Sequence, residues 1–235
     1  MLNIDFWRMR FGVEVEALDG PVECPLGRRG TDHGGRVYEY RLGPLTLSDW
    51  RAHREELSRF WSQLVVDPSG DPPTGLHVHV EMPPEVRDAG LTEKQFFARL
   101  ARLWEWCEGP LVVFRNSARS RYASSWDEEF KQKVAGAVRE GLYGVNRYHT
   151  LNLAAYPEHG TVEFRLWDAT SSFEEAEERA VLCLAVVWVA AVGCGERTHR
   201  SAVEETRDIV NAGRRALALL RLGMPASSRG THLRV

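Results

Sequence analysis

Three short stretches set ionisable side chains two residues apart against an apolar background. They are Glu14 and Glu16 in FGVEVE (11–16), His77 and His79 in GLHVHV (75–80), and Glu163 and Arg165 in TVEFR (161–165). On a β-strand, side chains two apart share a face. Each stretch therefore presents its polar pair on one side and valines or Phe164 on the other. Carboxylates combined with a neutral imidazole suit hard divalent cations, Mg²⁺ or Mn²⁺. Such ions neutralise the phosphates of a nucleotide, and a neighbouring guanidinium holds a phosphoryl group while its charge is redistributed. Taken singly, each pair also reads as the solvated side of an antiparallel sheet, with Glu163 and Arg165 a surface ion pair of small energetic value. If the strands are neighbours in one sheet, the groups converge on a single concave surface.

The elements that must position these residues follow from periodicity. Residues 146–169, NRYHTLNLAAYPEHGTVEFRLWDA, read as a hairpin: 150–156 alternates, Pro157, Glu158, His159 and Gly160 turn, and 161–167 alternates again. Residues 5–18 read as a first strand and 19–35, rich in Gly, Pro and charge, as a loop. A short strand is expected over 36–42, with Val37 and Glu39 opposite Tyr38 and Tyr40, and another over 76–82, with His77, His79 and Glu81 on one face. The spacing of Trp50, Leu57, Phe60, Trp61 and Leu64 predicts a helix over 47–64, capped by Ser48. Further helices are expected over 92–106, with Thr92 and Gln95 as a capping box, over 128–141, over 173–192 as a buried core helix, and over 202–222. Residues 110–122 read as a short apolar piece followed by an Arg/Ser-rich loop. There is no internal repeat and no long linker. The expected organisation is one catalytic domain over 1–195 with a helical extension and tail, 196–235, packed on it.

Composition bounds the function classes. The chain has 235 residues, 43% hydrophobic and 27% charged, with a net charge of -3 and a pI near 6.3. That is enough chain for one sizeable core. A near-neutral balance argues against a dedicated nucleic-acid binder, whose phosphate contacts need a basic face. The longest apolar run, 180–195, is shorter than the roughly 20 residues that span a bilayer, so no membrane anchor is expected. Cys24, Cys107, Cys183 and Cys194 show no CxxC spacing and no signal peptide precedes them, which makes a reducing cytoplasm the expected location.

The three motifs, with NRYHTLNL (146–153) between the second and third, occur in an order that resembles the amidoligase family. That family belongs to the superfamily of glutamine synthetase and glutamate-cysteine ligase. The resemblance runs from about residue 11 to about residue 192. It implies an α+β fold, a curved and mainly antiparallel sheet flanked by helices as in the glutamine synthetase catalytic domain, with ATP and two or three Mg²⁺ ions in its concavity. It implies an ATP-dependent carboxylate–amine ligase that forms an amide through an acyl phosphate. By position, Glu14, Glu16 and Glu163 resemble metal ligands and His77 the metal-binding histidine, while His79 faces the nucleotide phosphates. Arg165 resembles the arginine that holds the transferred phosphate, and Arg147 and Asn152 help with phosphate or substrate. Glu39 is expected as a further metal ligand and Asp32 as an amine or substrate contact. Tyr40 and Arg41 replace the small polar residues usual after that glutamate, so the acceptor site is expected to differ. Arg119 and Arg121 match an arginine-rich loop suited to a substrate carboxylate.

Three other readings stay open at this stage, one of them a non-catalytic binding protein that kept the fold. A kinase of related architecture would stop at phosphoryl transfer to a guanidino or other small-molecule group. A metal-dependent hydrolase would use the same histidines and carboxylates to activate water without ATP. The substrates are expected to be small-molecule or peptide carboxylates and amines. The chain begins almost at its first motif, so its own loops, a second copy or a partner protein are expected to complete the site.

Overall fold

The computed structural model describes residues 4–88, 93–112, 123–140 and 145–192, with the isolated positions 142, 207, 210, 211 and 214. The fold is α+β. A six-stranded, wholly antiparallel open sheet is built from β1 (Phe11–Ala17), β2 (Gly27–Asp32), β3 (Val37–Leu45), β4 (Gly75–Glu81), β5 (Leu151–Asn152) and β6 (Thr161–Asp168), in the order β2-β3-β1-β4-β6-β5. The helices are α1 (Leu47–Ala52), α2 (Arg54–Trp61), α3 (Pro84–Asp88), α4 (Glu93–Val112), α5 (Glu128–Glu140), α6 (Ala155–His159) and α7 (Phe173–Val192).

Alternation puts Val13, Val15, Tyr40, Val78, Val80 and Phe164 on one face of the sheet, all essentially without solvent contact. Helix α7 covers that face, packed on β1 and β4, and α4 and α2 pack on α7. From Ala180 to Val192 α7 is apolar nearly all round, as a helix enclosed on every side requires. Trp50, Trp61 and Phe173 join α1, α2 and α7, with the Trp50 and Phe173 rings stacked at 5.5 Å. The buried Glu177 of α7 is met by an ion pair from Arg54. No described helix is long and apolar enough to cross a membrane.

Several elements depart from the sequence reading. Residues 19–35 are not all loop, because β2 lies within them. Its GRRGTD sequence shows no alternation, and it is held by the backbone ladder to β3. Gly27 permits that pairing: a Cβ there would lie 2.0 Å from the Arg41 carbonyl oxygen. The first strand starts at Phe11, after a turn of 3₁₀ helix at Phe6–Arg8. The helix expected over 47–64 is two helices broken at His53. Its cap is Thr46, whose hydroxyl accepts from Asp49 N–H while the Asp49 carboxylate accepts from Thr46 N–H, so Ser48 does not cap it.

The 146–169 hairpin is also incomplete. Its first strand is only Leu151–Asn152, because the Asn152 side chain accepts from Ala154 N–H at 3.0 Å and turns the chain into α6. Pro157 sits in the first turn of α6, where a missing N–H leaves no ladder bond unmade. Gly160 ends α6 at φ +72, a conformation that costs glycine little. Alternation also fails at the end of β6. Val78 pairs with Phe164 but Leu76 with Trp167, so β6 carries one extra residue, and the Trp167 indole reaches Cys183 of α7 on the core side. Most of the expected helix over 202–222 and of the 196–235 extension, with Thr92, Cys194, Arg119 and Arg121, lies outside the described residues.

Candidate functional site

The polar face of the sheet bears the site. Glu14 lies directly across from His77 on one side and Arg41 on the other, and Glu16 lies across from Glu39. Gly12 faces His79, His79 faces Glu163, and Glu163 faces Asn152. Five strands therefore bring together groups that sequence separates by up to about 150 residues. Side-chain oxygens and nitrogens of Glu14, His77 and Glu163 lie within 4.8 Å of one another. The His77 Nδ1 is 3.3 Å from Glu163 Oε1 and 3.5 Å from Glu14 Oε2. The His79 Nε2 is 3.6 Å from the same Glu14 oxygen and 3.8 Å from Glu163, with its Nδ1 3.2 Å from the Thr161 hydroxyl.

These groups are not a solvated surface: Glu163 and Arg165 are 4% and 7% exposed. Arg165 donates to Glu163 Oε1 at 2.5 Å, and Asn152 Nδ2 donates to Glu163 Oε2 at 2.6 Å. The Arg165 backbone N–H is bonded to the Thr150 carbonyl at 2.7 Å. The Thr150 hydroxyl in turn accepts from Trp104 and donates to Glu108, a buried acid that also accepts from Trp126 N–H. Helix α4 thus anchors the strand pair that carries Asn152, Glu163 and Arg165.

The charges in the cluster act strongly on one another. Burial pushes the Glu14 carboxyl up, but hydrogen bonding and charge from His77 and His79 outweigh it and hold the group well below the usual carboxylate range. Glu163 is likewise held down against burial, by His77, Arg165, His79 and the Asn152 amide. Burial and the Arg165 charge lower His77 and so favour its neutral, ligating form, whereas Glu14 and Glu163 raise His79 despite its burial. Glu39 goes the other way: burial and the neighbouring Glu14 charge push it up to about 7, with Arg41 opposing.

A cavity of about 660 Å³ covers this face, from Arg28 and Asp32 on β2 across to Glu158 and His159 on α6. Glu14, Glu39, His77, His79, Arg147, Asn152, Glu163 and Arg165 all line it, as does Asp32. Glu16 sits to one side. It accepts from Gly75 N–H at 2.7 Å and groups with Asp32 and His33 as a second set of oxygen and nitrogen donors within 4.8 Å. Arg147 is exposed at the rim. Asn152 spends its amide on Glu163 and its carbonyl on Ala154, so its first role here is to orient Glu163.

Sequence reading gave no role to His33, Arg28 or Arg41. Arg41 forms ion pairs with both Glu14 and Glu39, and His33 lies in a Gly-rich turn with φ +50. The signals available were the Asp-His-Gly-Gly run and the unusual Tyr40-Arg41, neither of which carries a period.

The donor set of two carboxylates and an imidazole fits Mg²⁺ or Mn²⁺. The family model described as "Putative amidoligase enzyme" matches residues 54–187, more than half of the chain, and the chain belongs to that family. The family name points to an enzyme, a ligase. The matched span contains His77, His79, Asn152, Glu163 and Arg165; Glu14, Glu16 and Glu39 precede it and join the site through the sheet. No curated protein matches the chain.

Proposed function

We propose that this chain is an ATP-dependent carboxylate–amine ligase. The observation that carries the reading is the convergence of Glu14, His77 and Glu163 with Arg165 in one cavity of an amidoligase-family chain. Glu14, His77 and Glu163 would hold one divalent cation, and Glu16 and Glu39 would extend the donor set, with Asp32 and His33 beside Glu16. Bound there, Mg²⁺ or Mn²⁺ supplies charge neutralisation of the ATP phosphates and polarises the phosphoryl oxygens.

The chain's own residues bind and orient. Arg165, fixed by Glu163 and Thr150, points a guanidinium at the transferred phosphoryl group, and Arg147 meets it from the rim. His79, held by Thr161, faces the nucleotide phosphates. A substrate carboxylate oxygen attacks the γ-phosphorus of ATP, the bond to the β–γ bridging oxygen breaks, and ADP leaves an acyl phosphate. Activation is needed because a carboxylate is a poor electrophile. The amine nitrogen then attacks the acyl carbon and phosphate departs. Asp32, at the cavity edge, contacts the amine and takes its proton, with Glu39 the neighbouring acceptor.

The test is ATP turnover with Mg²⁺ against pooled amino acids and short peptides, following ADP, phosphate and new amide masses together. An amide mass formed with ADP and phosphate, and lost in Arg165→Ala, supports the ligase. ADP with a phosphorylated product and no amide replaces it with a kinase. Hydrolysis that needs metal but no nucleotide replaces both.

A further inference from the structure

Helix α4 carries an acid that neither the cation centre nor the apolar layer requires. Glu108 is 6% exposed, on a helix whose Leu100, Leu103, Trp104 and Cys107 are buried. A carboxylate is costly to bury unless its oxygens are met. It also stands near the C-terminal end of α4, where the helix dipole disfavours a negative charge. What Glu108 holds is specific. Its carboxylate accepts from Trp126 N–H at 3.0 Å and from the Thr150 hydroxyl, and that hydroxyl accepts from the Trp104 indole at 3.2 Å. Trp126 and Thr150 belong to two segments that clip to each other. Ser124 pairs with His149 in a parallel bridge, with Ser124 N–H donating to the Tyr148 carbonyl at 2.9 Å and Thr150 N–H to the Ser124 carbonyl at 3.0 Å. The Trp126 indole donates to the Leu151 carbonyl at 3.3 Å. Strand β5 itself has only two residues, too few for ladder bonds alone to hold it. The chain leading into it is placed from outside the sheet, by α4. Inside the cavity that placement reaches Arg165, whose backbone N–H donates to the Thr150 carbonyl at 2.7 Å.

We propose that Glu108 is a positioning residue: through Thr150 it sets where the Arg165 guanidinium stands in the cavity, and so how tightly that guanidinium holds a phosphate chain. What Arg165 binds rests on the ligase reading, whereas its placement is read separately, from its backbone amide. Binding of inorganic tripolyphosphate to the Mg²⁺-loaded full chain is measured by calorimetry, and hydrogen exchange at the Arg165 amide is followed in the same preparations. Glu108→Ala removes the acceptor of both segments. Thr150→Val cuts the same link from the other side, and Glu108→Gln keeps an oxygen that can accept from Trp126 and Thr150.

Glu108→Ala and Thr150→Val should each weaken tripolyphosphate binding about tenfold and speed exchange at the Arg165 amide, while Glu108→Gln should stay within about threefold of the parent in both. In an Arg165→Ala background neither change should weaken binding further, because the group they position is gone. Unfolding midpoints show which variants fold, and either variant alone completes the comparison. A loss of equal size with and without Arg165, as the mere satisfaction of buried donors would give, would overturn the positioning role. So would unchanged tripolyphosphate binding in the folded variants. If the parent binds neither tripolyphosphate nor ATP, the ligase reading falls. Faster Arg165 exchange in Glu108→Ala, reversed in Glu108→Gln, would then still uphold the positioning role, and equal exchange would overturn it.

Discussion

Replacing Glu39 with glutamine should stabilise the protein in EDTA at neutral and higher pH while weakening its hold on a divalent cation. Glu39 is 5% exposed on β3. Burial and the Glu14 charge move its carboxyl from an ordinary 4.5 to about 7, against the pull of Arg41. The folded chain therefore binds this proton more tightly than the unfolded chain does. The resulting stabilisation is complete below pH 4.5, declines as pH rises towards 7, and is gone above it. Each tenfold change in an acidity constant corresponds to about 1.4 kcal/mol, so ionising Glu39 disfavours the fold by up to about 3 kcal/mol. Water at the cavity mouth screens the charge and reduces this to ~1–2 kcal/mol. Denaturant midpoints of parent and Glu39→Gln in EDTA should differ by that amount at pH 8, the variant being the more stable, and converge towards pH 4.5. Saturating Mn²⁺ should reverse the order, because the parent gains a ligand the variant lacks. A variant less stable than the parent at pH 8 in EDTA, or a gap that ignores pH, would refute the argument that Glu39 is an electrostatically frustrated cation ligand.

Three further outcomes are expected. Asn152→Ala should keep the fold but lower Mn²⁺ affinity about tenfold or more by calorimetry, since the amide that orients Glu163 at 2.6 Å is lost. Mn²⁺ binding should release protons and strengthen as pH rises through neutrality, because Glu14 and Glu163 raise His79 and a cation on those carboxylates reverses that effect. Binding enthalpies that do not depend on the buffer's ionisation enthalpy would contradict it. In the core, Arg54→Met should cost about 1–3 kcal/mol by removing one ion-pair partner of Glu177, and the double change Arg54→Met with Glu177→Leu should recover most of it.

Much of the site was legible because strand periodicity is local. The alternation of Val13 and Val15 with Glu14 and Glu16, and of Val78 and Val80 with His77 and His79, depends only on backbone geometry, and the structure keeps both faces as the sequence divides them. The apolar run that becomes the center of α7 was equally plain. Four features were not legible. The GRRGTD strand has no hydrophobic period, since a ladder of backbone bonds holds it whatever its side chains are. The Asn152 turn into α6 depends on one side-chain hydrogen bond competing with the next rung of the sheet. The extra residue in β6 follows from the pairing of Leu76 with Trp167. The burial of Glu163 and Arg165 follows from what encloses the polar face.

By itself, then, the amino-acid sequence determined which residues share a face, where the core helix runs, and which family the motifs resemble. Only the tertiary structure decided that β1 lies between β3 and β4, that Glu14 is level with His77 and His79 with Glu163, and that Arg28 and Arg41 share a cavity with them. The physical reason is that side-chain alternation is a property of a few consecutive residues. Strand order and register are instead chosen by the free energy of burying one whole apolar face under α7, a sum over contacts between distant segments that no single stretch contains.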